Sequence, residues 1–347
     1  GCPNSNESRI TSRSYFNFTN DAQRHGDTIK PFNERQSWEL FMRFLGPTWQ
    51  QKDKDGRMNG VEEKAARTLL RRFGGVSIIL DIGIELTNMK LALAIQQAAR
   101  LVTDDRIGDA TIVSTLNSFR EHERTLPARP IKPRSDSEVA LDSLWDISFT
   151  HLSRNARDLL SVLSLLSPGM SDEASYCRQL FTNLNVDGVT LDLFLPTNQK
   201  ALDGKLHFCK QNRNSGRRDS DATLSSVISE PPLLREAITE LENARLIKFE
   251  KRILRVHRVV QEAMNYYSSQ EMQLYFNSAA AVVFEAFPKQ LSRDIMSKHW
   301  KTCECYIAHG ISLSSKFVAY YHLEKESLKG YGSSIALLIL QSNHELI

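Results

Sequence analysis

Four side chains able to bind a soft metal ion, His299, Cys303, Cys305 and His309, fall within one short stretch. Zinc takes ligands of these types, but they must converge on one point. At roughly 100° per residue, a helix through this segment puts His299 and Cys303 on one face and Cys305 with His309 about 200° away. Ordinary helix packing is therefore the expectation, and no metal is assigned. Phosphate chemistry needs a cradle of backbone N–H groups, and no G-x-x-x-x-G-K-[ST] loop occurs in the 347 residues. Val76-Ser77-Ile78-Ile79-Leu80-Asp81 has the form of an apolar strand ending in a Mg²⁺-holding acid, but without that loop the role is not assigned. A G-x-S-x-G nucleophile elbow is also absent. No catalytic residue is assigned.

His257 is different in context. It stands where an alternating strand (Ile253 to Val256) gives way to a helical stripe of Val259, Val260, Ala263, Met264 and Tyr267. A helix start carries partial positive charge and unpaired N–H groups, so His257 with Arg258 makes an anion-facing corner. The same pattern equally suits a histidine that only caps the turn of a winged helix.

The elements that must position this corner follow from periodicity. Trp38, Phe41, Met42 and Leu45 form a helical stripe, with Ser37 at the N-cap position and Gly46-Pro47 as the stop. A polar loop from Gln50 to Asn59 leads to a helix over Glu62 to Arg72, ended by Gly74-Gly75. Leu91 to Val102 is helical. Leu126-Pro127, Arg129-Pro130 and Lys132-Pro133 break the pattern and mark a boundary. Leu141, Leu144, Trp145 and Ser148 open a helix, and Ala156 to Ser167 is apolar enough to be buried.

Lys210 to Ser220 is basic and polar, a solvated loop. Leu234, Ala237, Ile238 and Leu241 form a stripe before two alternating segments, Leu246 to Glu250 and Arg252 to Val256, joined by a tight turn at Lys251. Helices, then a hairpin, then a helix match a winged-helix module. Beyond it, Met272 to Ala286 is one helix, ended by Pro288. Further apolar patterns around Trp300 to Leu313 and Phe317 to Leu328 suit the start of a helical-repeat array.

Composition is consistent with this. Lys plus Arg number 44 against 41 Asp plus Glu, a net charge of +3, with 41% hydrophobic residues; neither nucleic acid nor a membrane is expected as a partner. Five scattered cysteines form no paired framework, which favours a reducing compartment and a cytoplasmic location. No run approaches the length of a membrane span.

Taken in order, these residues resemble the downstream part of the STAND nucleotide-binding switch proteins, in particular fungal NLR-like members that join an NB-ARC domain to tetratricopeptide repeats. Ile10-Thr11-Ser12-Arg13 is similar to the strand after the ATPase core, and Trp38-Glu39-Leu40-Phe41 to the helix that follows. Trp145-Asp146-Ile147-Ser148-Phe149, Leu152, Ala156-Arg157 and Leu163 to Pro168 resemble the winged-helix entry. His257-Arg258-Val259-Val260-Gln261 stands where fungal members carry H-R-L-V-Q, and Phe287-Pro288 with Trp300, Cys303 and His309 resembles the passage into the repeats.

The resemblance implies a mainly α protein with a nucleotide-binding remnant (1–130), a winged-helix domain (135–268) and the start of tetratricopeptide-like repeats (270–347). It implies ADP or ATP as cofactor in intact relatives. Arg13 would sense the terminal phosphate and His257 would face the β-phosphate of ADP. The partners implied are other protein chains, a second copy or a signalling partner, in innate-immunity or self-recognition signalling.

Two departures stand out. The phosphate loop and Mg²⁺ acid expected before Ile10 are missing, which reads as a truncated product without nucleotide hydrolysis. After Phe73-Gly74-Gly75, where the family's G-L-P-L motif runs into a helix, Val76 to Lys90 intervenes. Deleting it joins Gly75 to Leu91 and restores a G-L-x-L-A register, with Gly75 and Leu91 at nucleotide-facing positions. The segment reads as retained intron sequence, or else as a surface insertion. The alternatives in other classes are a DNA-binding winged-helix regulator, which would need a basic helix where Arg258 is followed by Glu262, and a helical-repeat scaffold without nucleotide.

Overall fold

The first helix begins with a reciprocal cap. Asn33 Oδ1 accepts from the Gln36 N–H at 2.8 Å while Gln36 Oε1 accepts from the Asn33 N–H at 3.0 Å, satisfying two donors that a helix start otherwise leaves unpaired. Helix α1 (Glu34–Leu45) thus starts ahead of Ser37, which is 5% exposed inside the helix and not its cap. Gly46, at φ 96°, breaks the chain direction. Pro47 then opens a new helix, α2 (Pro47–Lys54), because its fixed φ suits a first helical position. Much of the expected loop from Gln50 is therefore helical.

The computed structural model describes residues 33–74, 84–103, 111–125, 136–166, 188–195, 199–211, 224–288 and 300–323. Helices α3 (Gly60–Gly74), α4 (Ile84–Thr103) and α5 (Ile112–Thr125) join α1 around a first core of Phe41, Leu69, Phe73, Ile95, Ile112 and Phe119. Leu91, Ile95, Ala98 and Val102 all lie in it, as the stripe requires.

Helix α6 (Asp136–Thr150) belongs to two cores. Its Ala140, Leu141, Leu144 and Ile147 enter the first, and its Trp145 and Phe149 enter the second. The second core is built around α7 (Arg154–Leu166), in which every residue from Leu159 to Leu166 is Leu, Val or Ser and Leu159, Leu160, Val162, Leu163 and Leu166 are fully covered. Each fully buried side chain of this size contributes about 1.5 to 3 kcal/mol.

A short strand, β1 (Val189–Thr190), precedes a 3₁₀ turn at residues 191–194, then α8 (Gln199–Gln211), α9 (Leu224–Ser229) and α10 (Pro231–Asn243). Lys210 and Gln211, expected in a loop, complete α8; residues 212–223 lie outside the described set. Strands β2 (Ile247–Glu250) and β3 (Ile253–Val256) form the expected hairpin, with Glu250 opposite Ile253. Its turn is Lys251-Arg252, both at positive φ (51° and 63°), so Arg252 sits in the turn and not in the strand. Turns with two left-handed residues match the natural twist of a hairpin.

β1 pairs antiparallel with the outer side of β3, giving the sheet order β1-β3-β2. At Gly188 a Cβ would lie 2.5 Å from Ile253 Cγ2 and 2.8 Å from the Leu254 carbonyl oxygen. Glycine is what lets the chain approach β3 closely enough to pair.

Helices α11 (Arg258–Tyr267), α12 (Met272–Ala286) and α13 (Trp300–Leu323) complete the chain's described part. Residues 300–323 form one helix where two apolar patterns suggested a pair, since Leu313-Ser314-Ser315-Lys316 contains no breaker. Both α12 and α13 enter the second core through Phe276, Val282, Val283, Tyr306 and Leu313. The described residues are mainly helical, with one small three-stranded antiparallel sheet among them.

Candidate functional site

His257 stands at the β3–α11 junction, as its sequence context requires. Its backbone is extended (φ −67°, ψ 141°), and its Nδ1 accepts from the Val259 N–H at 3.2 Å, so the imidazole is the N-cap of α11. The junction is tied a second time. Gln261, 7% exposed, donates from Nε2 to the Val256 carbonyl at 2.8 Å and from its own N–H to the His257 carbonyl at 3.0 Å. Val259, Val260 and Met264 fix the helix to the second core.

The electrostatics define the tautomer. Burial pushes His257 below its ordinary value, with the carboxylate of Glu262 opposing, so the ring is neutral at pH 7. Because Nδ1 accepts, the proton resides on Nε2, which is left as a donor. Arg258 Nε is held by Glu262 Oε1 at 2.8 Å. The corner therefore offers one neutral N–H donor beside a paired guanidinium. It can bind an anionic oxygen, and it has no general base aimed at a substrate.

The other sequence candidates fare differently. Arg13 and Gly75 lie outside the described residues, as do Ile10 to Ser12 and the Val76–Asp81 segment. Leu91 is 2% exposed and packs in the first core, two turns into α4. His299 is outside the described set, and Cys303 and His309 are buried on α13 at 3% and 2% exposure. No group of three or more His, Cys, Asp or Glu residues able to hold a metal occurs among the described residues.

His309 is engaged in a polar contact that sequence reading missed. Its Nδ1 donates to the Leu166 carbonyl at 3.0 Å, Ser312 Oγ donates to that of Leu165 at 3.1 Å, and Lys316 Nζ donates to those of Ser164 and Leu165 at 2.8 and 2.7 Å. One face of α13 thus caps the C-terminal end of α7, where carbonyls lack helical partners and the macrodipole is negative. Burial pushes His309 down to about 4 and Lys316 down to about 7, and the Lys316 charge lowers His309 further.

A second missed residue is Gln97 on α4, which is 0% exposed and donates from Nε2 to the carbonyls of Ala244 and Arg245 at 3.0 and 3.2 Å. Arg245 is held at φ 53°, with its guanidinium 5.5 Å from the Phe44 ring centroid. The turn that feeds the hairpin is thereby seated on the first helical group. Both signals are single polar residues inside apolar stripes, visible in sequence but silent about their partners. No helix among the described residues is long and apolar enough to cross a membrane. No family model, curated protein or solved structure matches this chain.

Proposed function

We propose that the chain is the downstream part of a nucleotide-controlled STAND-type switch, in which a winged helix over residues 135–268 closes on ADP through His257 and the following helices begin a tetratricopeptide-like array. The single observation that carries the reading is the placement of His257: it caps α11 at the end of the hairpin while leaving Nε2–H as a donor. The sheet order β1-β3-β2, with helices between β1 and β2, supports the winged-helix assignment, as it is the order that fold requires. The seating of Arg245 by Gln97 supports a closed arrangement of the helical and winged parts.

In this reading the bond from His257 to a β-phosphate oxygen forms only in the closed ADP state. A hydrogen bond to a charged group is worth about 1.5 to 3 kcal/mol, so His257→Ala shifts the equilibrium toward the open form by roughly tenfold to a hundredfold. The open form then assembles with other protein chains, a population shift between two packed states. The test is nucleotide titration of this chain joined to its upstream coding sequence. His257→Ala weakens ADP binding more than ATP binding, whereas Val260→Ala destabilises the packing of α11. Equal loss for both nucleotides, or none, would leave His257 as a capping residue alone.

The DNA-binding alternative is disfavoured by charge. The helix ahead of the hairpin, α10, carries Glu236, Glu240 and Glu242 against Arg235 alone, where phosphate contact needs cations. An electrophoretic shift with random duplex DNA separates the two readings.

A further inference from the structure

We propose that the β2–β3 hairpin is a docking surface for an acidic segment of a partner protein, bound through Lys248, Lys251, Arg252 and Arg255. Residues 245–258 hold six cations (Arg245, Lys248, Lys251, Arg252, Arg255 and Arg258) against one acid, Glu250, a surplus of five in a chain whose whole net charge is +3. Asp192 and Glu262 pair with Arg252 and Arg258 and offset two of these. The rest of the chain is net acidic. Positive charge is therefore concentrated on this hairpin, where it can attract an anionic partner.

The sheet sorts these side chains by face. Successive residues of a strand point to opposite sides, so Ile247, Phe249, Leu254 and Val256 turn to the second core while Lys248, Glu250, Ile253 and Arg255 turn outward. Lys248 lies directly opposite Arg255, and like charges in that cross-strand position are destabilising. The backbone carries a second local conflict. Among the described residues, the non-glycine positions at positive φ are Arg245, Lys251 and Arg252, at 53°, 51° and 63°. All three are cations of this one stretch. A two-residue hairpin turn favours Asn-Gly, which takes up left-handed backbone with little strain. Lys251-Arg252 instead holds two long charged side chains there, and local conflicts of this kind cluster at functional sites.

Glu250 decides between kinds of anionic partner. Its carboxylate accepts from Lys248 Nζ at 2.8 Å and lies 3.7 Å from Arg255 Nη1. A run of phosphates presents acceptors alone and would meet that carboxylate with like charge. A protein segment brings acids to the cations and a donor to Glu250. Phe249, the one aromatic residue of the hairpin, turns to the core, so a nucleic-acid base has no ring to stack on at the solvated face. The Arg252–Asp192 pair is 59% and 57% exposed. Pairs so exposed contribute little, and a carboxylate of the partner can take the place of Asp192.

The probe is fluorescently labelled poly-L-glutamate, titrated with the full chain by anisotropy at about 50 and 150 mM salt. The wild type should bind, and more weakly at the higher salt. Lys251→Asn combined with Arg252→Gly removes two charges and installs the turn sequence that this backbone favours. That variant should bind about tenfold more weakly, the worth of two exposed ion pairs, while its unfolding midpoint stays level or rises. A purely structural turn would not give both results. Lys248→Thr with Arg255→Thr removes the opposed cations and should weaken binding to a similar extent. Lys54→Gln with Lys64→Gln takes the same charge from exposed positions on α2 and α3 and should leave the affinity within about twofold. No binding by the wild type, an equal loss in the α2–α3 variant, or unchanged binding in the hairpin variants would overturn the proposal. So would tighter binding, at the same salt, to duplex DNA or to phosphatidylserine vesicles with the same loss in the hairpin variants, since the surface would then be reading phosphate. If one hairpin variant does not fold, the other decides.

Discussion

Acid should undock α13 from α7 through His309. The imidazole is buried and sits beside the Lys316 ammonium, so the folded chain resists protonating it. From the ordinary value of 6.5 to about 4 in the fold, the difference is worth about 3 kcal/mol of stability. The unfolded chain binds this proton first, so stability contributed by the neutral ring is complete above pH 6.5 and is lost as the pH falls toward 4. His309→Gln keeps an N–H donor for the Leu166 carbonyl but removes the titration. Urea unfolding of both proteins at closely spaced pH values gives the difference directly. The wild type should lose about 3 kcal/mol more than H309Q between neutrality and pH 4. Differences that stay within about 0.5 kcal/mol would mean that water reaches the ring or that α13 is not docked where the hydrogen bonds place it. Lys316 does not confound the test, because its depression to about 7 acts as the pH falls from 10.5 to 7.

Three further outcomes are expected. The purified chain hydrolyses no ATP above background, since phosphoryl transfer requires a phosphate cradle, a lysine and Mg²⁺; turnover that persists through substitution of both Asp81 and Arg13 would require another site. Gln97→Ala leaves the carbonyls of Ala244 and Arg245 without their donor and costs about 1 to 3 kcal/mol in thermal or urea unfolding, with faster amide exchange in β2; an unchanged midpoint would refute the seating role. Deleting 76–90 removes the start of α4 up to Lys90 but keeps Leu91, Ile95, Ala98 and Val102 in register, so the shortened protein should remain soluble and spliced transcripts should lack these codons. Messages that all retain them, together with an insoluble deletion variant, would identify the segment as part of the fold.

The helices were legible wherever an apolar stripe repeated at helical spacing, as in Leu234, Ala237, Ile238 and Leu241. The hairpin was legible because alternation changes abruptly at Lys251. What escaped was shorter or longer than those windows. β1 spans two residues, and nothing local distinguishes Val189-Thr190 from a loop; its partner β3 selects it. The start of α1 was misplaced because Ser37 competes with Asn33 as a cap, and only the Gln36 side chain decides between them. The site divides similarly. His257 was found from the strand-to-helix switch around it, whereas Gln97 finds its acceptor 147 residues away and Lys316 finds one 152 residues away, distances at which a single sequence carries no pairing signal.

Helix α6 has two working faces, and this limits how the molecule can be divided. The proline-rich stretch before it invites cleavage or expression as two pieces near residue 130. A C-terminal piece made that way would carry Ala140, Leu141, Leu144 and Ile147 into water, since their cover comes from the helices left behind. The N-terminal piece would lack one wall of its core. Separately produced halves should therefore be sticky and poorly soluble alone, and should recover solubility when mixed, each acting as the missing chaperone for the other.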